Sequence, residues 1–217
     1  QQHQQHQQHK EQEQREQREQ QEQQEQQEQQ EQPGRTLPFP VVLLAHARPR
    51  RLNVTLQSLL AVRAIDARQI FVLQDGLDAA VSDVVRAAGV RLVPLPALPH
   101  ADPSDKSGRR IAQAYKAALT LAFDKLTDDE AVLVVEDDLL FSPDLMEYFI
   151  AAYSVMRADP TLWIASAWND NGFRGLVGPA PKRLLRTGFF PGLGWLLTRR
   201  LYKNELEPAW PKEHWDH

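Results

Sequence analysis

Ala131-Val132-Leu133-Val134-Val135-Glu136-Asp137-Asp138 is the stretch on which the reading of this sequence turns. Five apolar residues, three of them β-branched, give way without a spacer to three carboxylates. An unbroken apolar run of this length is what a strand buried on both faces requires. The switch to acids then places the strand's carboxyl end at a polar edge.

The same junction recurs on either side of it. Pro40–Ala45 runs into His46-Ala47-Arg48, Ile70–Leu73 into Gln74-Asp75-Gly76, and Leu162–Ala167 into Trp168-Asn169-Asp170-Asn171-Gly172. Val90–Leu95 is a further strand and leads into a Pro-rich loop. Between these runs apolar residues fall at helical spacing. Leu52, Leu56, Leu59 and Leu60 form one stripe; Val81, Val84, Val85 and Ala88 form a second, which Gly89 ends. Ile111, Tyr115, Ala118, Leu119 and Ala122 form a third. Ser142-Pro143 reads as an N-cap followed by Pro at the first helical position. Alternation of this kind predicts an α/β fold, a Rossmann-like, parallel-rich sheet with helices on both faces. In such sheets ligands bind outside the carboxyl ends of the strands.

The 217 residues are not uniform. Residues 1–32 contain only Gln, Glu, His, Lys and Arg, so they hold nothing that builds a core, and Pro33-Gly34 ends the tract. Residues 1–35 are therefore read as a low-complexity stem or linker and 36–217 as the folded domain. The regular spacing of His3, His6 and His9 reflects repeat composition rather than a metal site. The net charge of −4 divides into −5 in the tract and +1 in the remainder. A near-neutral folded part gives no electrostatic case for nucleic acid or an anionic membrane as partner. With no cysteine, thiol catalysis, zinc–thiolate sites and disulfides are excluded for these residues. No run of about 18 apolar residues is present, so any signal or membrane anchor is expected upstream.

Three carboxylates at the end of a greasy strand repel one another and desolvate badly. A divalent cation removes that penalty, and oxygen ligands suit Mn²⁺ or Mg²⁺. Such an ion holds a diphosphate and neutralises charge as it leaves. Arg48 and Asp75 follow the first two strands and so share the crevice with Glu136, Asp137 and Asp138. The forked guanidinium of Arg suits phosphate, and Asp in this position accepts from ribose or a base edge. Taken singly each is an ordinary surface salt-bridge residue; together they describe a nucleotide site. Trp163 and Trp195 are read as core aromatics. The cluster after Trp168 is foremost a turn, and Phe189–Gly194 a bend. Asn53-Val54-Thr55 fits the N-glycosylation pattern but falls in a predicted helix.

These words together resemble a known family. Glu136-Asp137-Asp138-Leu139, Ala158-Asp159-Pro160, Leu162-Trp163, Ser166–Gly172, Phe189–Leu197, Glu205–Pro208 and Trp210-Pro211-Lys212 run in the order found in the alpha-1,3-mannosyl-glycoprotein 2-beta-N-acetylglucosaminyltransferases, N-acetylglucosaminyltransferase I of glycosyltransferase family 13. The likeness spans roughly residues 38–217 and is densest from Val132 onward.

It implies the GT-A nucleotide-sugar-transferase fold, UDP-N-acetylglucosamine as donor, manganese as cofactor, and action in the Golgi lumen by a type II membrane protein. It implies Asp138 as the direct metal ligand, and Glu136, Asp137, Arg48 and Asp75 as residues of the nucleotide-sugar site. Asp216 falls at the catalytic base. The implied reaction is a single inverting displacement by the 2-hydroxyl of an alpha-1,3-linked mannose of N-glycans. Protein O-mannose beta-1,2-N-acetylglucosaminyltransferase activity, or a non-catalytic UDP-sugar-binding remnant, remain alternatives. This sequence departs from the family at Ala114, where a nucleotide-contacting histidine is usual, and at His217, where a second aspartate is usual. The animal members' cysteines are absent, and the family continues beyond His217. This polypeptide is therefore expected to be an incomplete enzyme with weak activity or none.

Overall fold

Three apolar runs form the middle of the sheet: β1 (Val41–Ala45), β2 (Ile70–Gln74) and, after β3 (Arg91–Pro94), β4 (Ala131–Glu136). They belong to a computed structural model that describes residues 38–96, 98, 108–173, 175–177 and 183–211. The expectations placed on residues 1–35, His3, His6, His9, Asp216 and His217 lie outside the described residues. β5 (Ile164–Ser166) and β6 (Trp195–Thr198) complete a six-stranded sheet in the order β3-β2-β1-β4-β6-β5. β1 pairs in parallel with β2 and β4, and β2 in parallel with β3; β6 runs antiparallel to β4 and β5. The chain is thus mixed α/β with a parallel-rich sheet.

Period-two alternation sends each central strand's side chains to two separate layers. Leu43, Val72 and Leu133 face one layer, closed by α1 (Pro49–Leu60), α2 (Ala79–Ala87) and, further along the chain, the helix Leu145–Ala158. Val42, Leu73 and Val134 face the other, closed by α3 (Arg109–Leu121) with Tyr202 and Trp210. With both faces covered, each fully buried Val or Leu contributes roughly 1.5–3 kcal/mol. That is why these strands carry no polar alternation. The Asn53-Val54-Thr55 pattern does lie within α1, and Thr55 is buried.

Four local expectations change. Phe189–Gly194 does bend, but β6, the strand that follows it, was not expected. Gly192 and Gly194 adopt positive φ (69° and 63°) and turn the chain so that Trp195-Leu196-Leu197 enters the sheet between β4 and β5. The Leu162–Ala167 strand shortens to three half-buried residues, because it lies at the sheet edge and pairs only with β6. Ser142 does not cap a helix. Its hydroxyl donates to the Asp144 carboxylate at 2.5 Å, and α4 (Leu145–Ala158) starts two residues later than Pro143. Trp195 is core, stacked on Tyr115, but Trp163 is 58% exposed beside that short edge strand.

One arginine joins the antiparallel strand to the rest. Arg199, directly after β6, donates to the backbone oxygens of Phe123 (2.5 Å), Thr127 (2.6 Å) and Asp129 (3.1 Å), and its guanidinium lies 5.1 Å from the Phe123 ring centre. It satisfies carbonyls that the turn after α3 leaves without helical partners. Arg199→Ala is expected to lower unfolding free energy by about 2–3 kcal/mol, since these bonds are charge-assisted. Arg199→Lys should recover only part, because one ammonium lacks the fork needed to reach three carbonyls. Urea unfolding of the three proteins checks this; a full recovery by Lys contradicts it.

Candidate nucleotide-sugar site

Parallel registry decides which side chains meet. Leu44 of β1 sits opposite Glu136 of β4, and Ala45 opposite Gln74 of β2. The next residues along each strand, His46, Asp75 and Asp137, therefore emerge at one edge of the sheet. The Asp75 amide donates to the Ala45 oxygen at 2.8 Å and holds that alignment past the end of the strands.

Arg48 is the centre of this edge. Its Nη1 donates to Asp138 Oδ2 at 2.8 Å, its Nε to Asp137 Oδ2 at 3.4 Å, and its Nη2 to Asp137 Oδ1. The Asp137 side chain is 2% exposed and that of Asp138 is 30% exposed. The buried carboxylate is thus fully engaged and the outer one keeps an open side. Arg51, in the first turn of α1, brings Nη1 to 3.5 Å from the same Asp138 oxygen. Two guanidinia bear on Asp138, so positive charge is already placed where a cation is expected.

Glu136 takes a different partner. Tyr115 of α3 donates its hydroxyl to Glu136 Oε1 at 2.5 Å. Burial is the largest influence on Glu136 and raises its pKa above the ordinary 4.5; the Tyr115 bond pulls the other way, and Asp138 adds to the rise. Burial, then the Glu136 charge, pushes the Tyr115 phenol up as well, so it stays a neutral donor. At the β2 end Arg110, from the first turn of α3, grips Asp75 with Nε to Oδ2 at 2.9 Å and Nη2 to Oδ1 at 3.3 Å. His46 Nδ1 lies 2.6 Å from the Asp75 backbone oxygen, which requires the proton on Nδ1. Gly76 follows at φ 90°, turning the chain under the His46 ring.

Of the expected site residues, Arg48, Asp75, Glu136, Asp137 and Asp138 share this edge, and Asp216 lies outside the described residues. Residues 168–172 form a turn, with Trp168 Nε1 donating to Asp170 at 2.8 Å and Gly172 N to the Asn169 oxygen at 2.8 Å. Tyr115, Arg110 and Arg51 were not anticipated. Tyr115 sits on the apolar stripe of α3, where only its hydroxyl betrays a polar task, and arginines opening a helix look like solvated charge. Ala114 is buried in the layer under α3 and presents no polar atom. Among the described residues no three His, Asp or Glu side chains converge on a metal position. An apolar groove beside α3, lined by Leu98, Ala117 and Leu121, shares no residue with these ion pairs.

The chain matches the GNT-I family over residues 1–217. It is 37% identical over 187 residues to the alpha-1,3-mannosyl-glycoprotein 2-beta-N-acetylglucosaminyltransferase of Arabidopsis thaliana, covering 81% of this chain and 40% of that relative. The chain therefore spans about two-fifths of the relative's length. Among solved structures, a glucosyl-3-phosphoglycerate synthase from Mycobacterium tuberculosis in complex with Mg²⁺ and UDP is 16% identical, with 78% of this chain and 63% of that chain covered and a TM-score of 0.49. A cytidylyltransferase from Leptospira borgpetersenii is 10% identical, with 76% and 62% covered and a TM-score of 0.48.

The Arg48 pairs and the burial of Glu136 each have a measurable outcome. Arg48→Ala strands the buried Asp137 carboxylate and is expected to cost about 3–5 kcal/mol of stability in chemical denaturation; a change within 1 kcal/mol of zero, on the order of a surface pair, contradicts the strut role. Glu136 titrates above its ordinary value in the folded state, so its contribution to stability is full below pH 4.5 and is lost as pH rises through the raised value. Glu136→Gln, which mimics the protonated acid, should match the parent below pH 4.5 and exceed it above. Melting curves across pH 4–8 check the sign.

Proposed function

The chain belongs to the GNT-I family, and from that premise we propose that it is the donor-binding part of a metal-dependent, inverting N-acetylglucosaminyltransferase. Its donor is UDP-N-acetylglucosamine and its acceptor the 2-hydroxyl of an alpha-1,3-linked mannose of glycoprotein N-glycans. One observation carries this reading. The acidic triplet at the end of β4 lies at the sheet's carboxyl edge, where Arg48, from the turn after β1, holds Asp137 and Asp138, and Tyr115 holds Glu136. Family membership supplies the reaction; the ion pairs supply a place for the diphosphate.

The donor set fits a divalent cation that brings ligands of its own. Mg²⁺ and ions like it are usually bound by one or two carboxylates together with substrate phosphates rather than in an all-protein cage. Asp138, partly open and facing guanidinia instead of other acids, offers one such carboxylate. Mn²⁺ or Mg²⁺ bound there supplies counter-charge to the departing UDP. The protein's own residues do the rest. Asp137 orients Arg48, whose remaining N–H groups line the nucleotide pocket. Tyr115 holds Glu136 at the sugar end, and Arg110 turns the Asp75 carboxylate toward the base. Asp216 takes the proton of the mannose 2-hydroxyl as that oxygen attacks the anomeric carbon, the C–O bond to UDP breaking on the opposite face.

The compartment is the secretory pathway, in the Golgi lumen. Among the described residues no helix is long and apolar enough to cross a membrane.

Calorimetric titration with UDP-N-acetylglucosamine, with and without Mn²⁺, tests the reading. Binding is expected only with the ion, and Asp138→Ala should weaken it by at least 10- to 100-fold, the loss that removing outer partners of a metal alone brings about. A chain that binds no UDP-sugar under either condition is a remnant of the fold, and the proposal fails. Binding that survives Asp138→Ala unchanged removes Asp138 as the ligand.

A further inference from the structure

Two arginines reach Asp138, and they are held very differently. Arg48 has three bonds to the acidic pair, two of them to a carboxylate that is 2% exposed. Moving it away would leave that buried charge bare, so it stays in place whatever binds. Arg51 has a single ion pair at 3.5 Å, longer than a good charge-assisted bond, and its side chain is 65% exposed. Little holds it there. Its position in the first turn of α1 also sets a cation beside the positive end of a helix, which is unfavourable unless negative charge lies close. Asp138 provides that charge.

We propose that Arg51 is the residue that takes up the donor's diphosphate, exchanging Asp138 for a phosphate oxygen, while Arg48 remains on Asp137 as a fixed strut. This rests on the donor-site reading above and divides labour within it. A divalent ion that claims the Asp138 carboxylate repels both guanidinia on its Oδ2 and displaces the one with the weaker hold. Phosphates accompanying an ion at Asp138 would come within reach of the displaced, 65% exposed Arg51 side chain. The planar guanidinium meets two phosphate oxygens with parallel N–H bonds, a fork that an ammonium lacks. Shielding and binding are therefore one side chain in two positions.

The test uses the full chain, with Arg51→Ala, Arg51→Lys and, as a charge-matched neighbour, Arg50→Ala. Calorimetry with UDP, inorganic pyrophosphate and uridine, each in Mn²⁺, gives the affinities, and melting temperature reports the fold. Arg51→Ala is expected to weaken UDP and pyrophosphate by about 10- to 100-fold, the equivalent of one charge-assisted contact. Uridine affinity and melting temperature should stay at parent values. Arg51→Lys should recover part of the loss and Arg50→Ala should show none. Electron paramagnetic resonance without nucleotide should find Mn²⁺ held more tightly by Arg51→Ala, since a competitor for Asp138 is gone. Parent-like UDP binding by Arg51→Ala overturns the inference alone, as does an equal loss for uridine or for Arg50→Ala. A parent chain that binds neither UDP nor pyrophosphate overturns the donor-site reading and this inference with it.

Discussion

A buried carboxylate at the end of a buried strand is the constraint around which this protein is arranged. β4 must be apolar throughout because helices cover both its faces, yet it ends in three acids with no spacer. Asp137 is taken out of water by that geometry, and an unpaired carboxylate there would cost several kcal/mol. Arg48, four residues beyond the register that pairs Leu44 with Glu136, supplies the compensating charge. The association of β1 with β4 and the pairing of the buried Asp137 are therefore linked. Asp138 shares the same guanidinium, so the outer acid is placed by that pair as well.

Seen this way the three acids have three environments. Glu136 is shared with a tyrosine from the helix on one face. Asp137 is locked to an arginine, and Asp138 looks outward with two guanidinia against it. Adjacent residues in a chain leaving a strand point in different directions, so a run of identical charge becomes a graded series. Only the outermost member has the openness that an incoming ion and diphosphate need. Asp75, held by Arg110 and flanked by His46, repeats the pattern one strand along, with an acid kept in place by a base from a different element.

Much of this was legible in the sequence, and what escaped has a common cause. β1, β2 and β4 announce themselves because complete burial removes polar alternation, and α1 to α3 because helical stripes match one face of a sheet. Arg48, Asp75 and the triplet were visible as the polar residues following those strands. β6 was not, since four residues after a glycine-rich bend carry too short a pattern to separate strand from turn. Trp163 reads as core because large aromatics usually are, but a three-residue edge strand cannot cover it. Ser142 had the look of a cap, and a nearby carboxylate claimed its hydroxyl.

What the linear order determined by itself is the α/β alternation, the polar residues delivered to the carboxyl edge, and the family to which the chain belongs. Those depend on burial periodicity and on uncommon words in fixed order, both of which are local. Which base answers which acid was decided only by tertiary structure. Arg48 lies 89 residues from Asp137, Arg110 lies 35 from Asp75, and Tyr115 lies 21 from Glu136. No spacing rule links such positions, because each partner's place follows from strand order and helix docking. Coulomb attraction and hydrogen bonding act through a few ångströms of space, and only the folded sheet makes those residues neighbours.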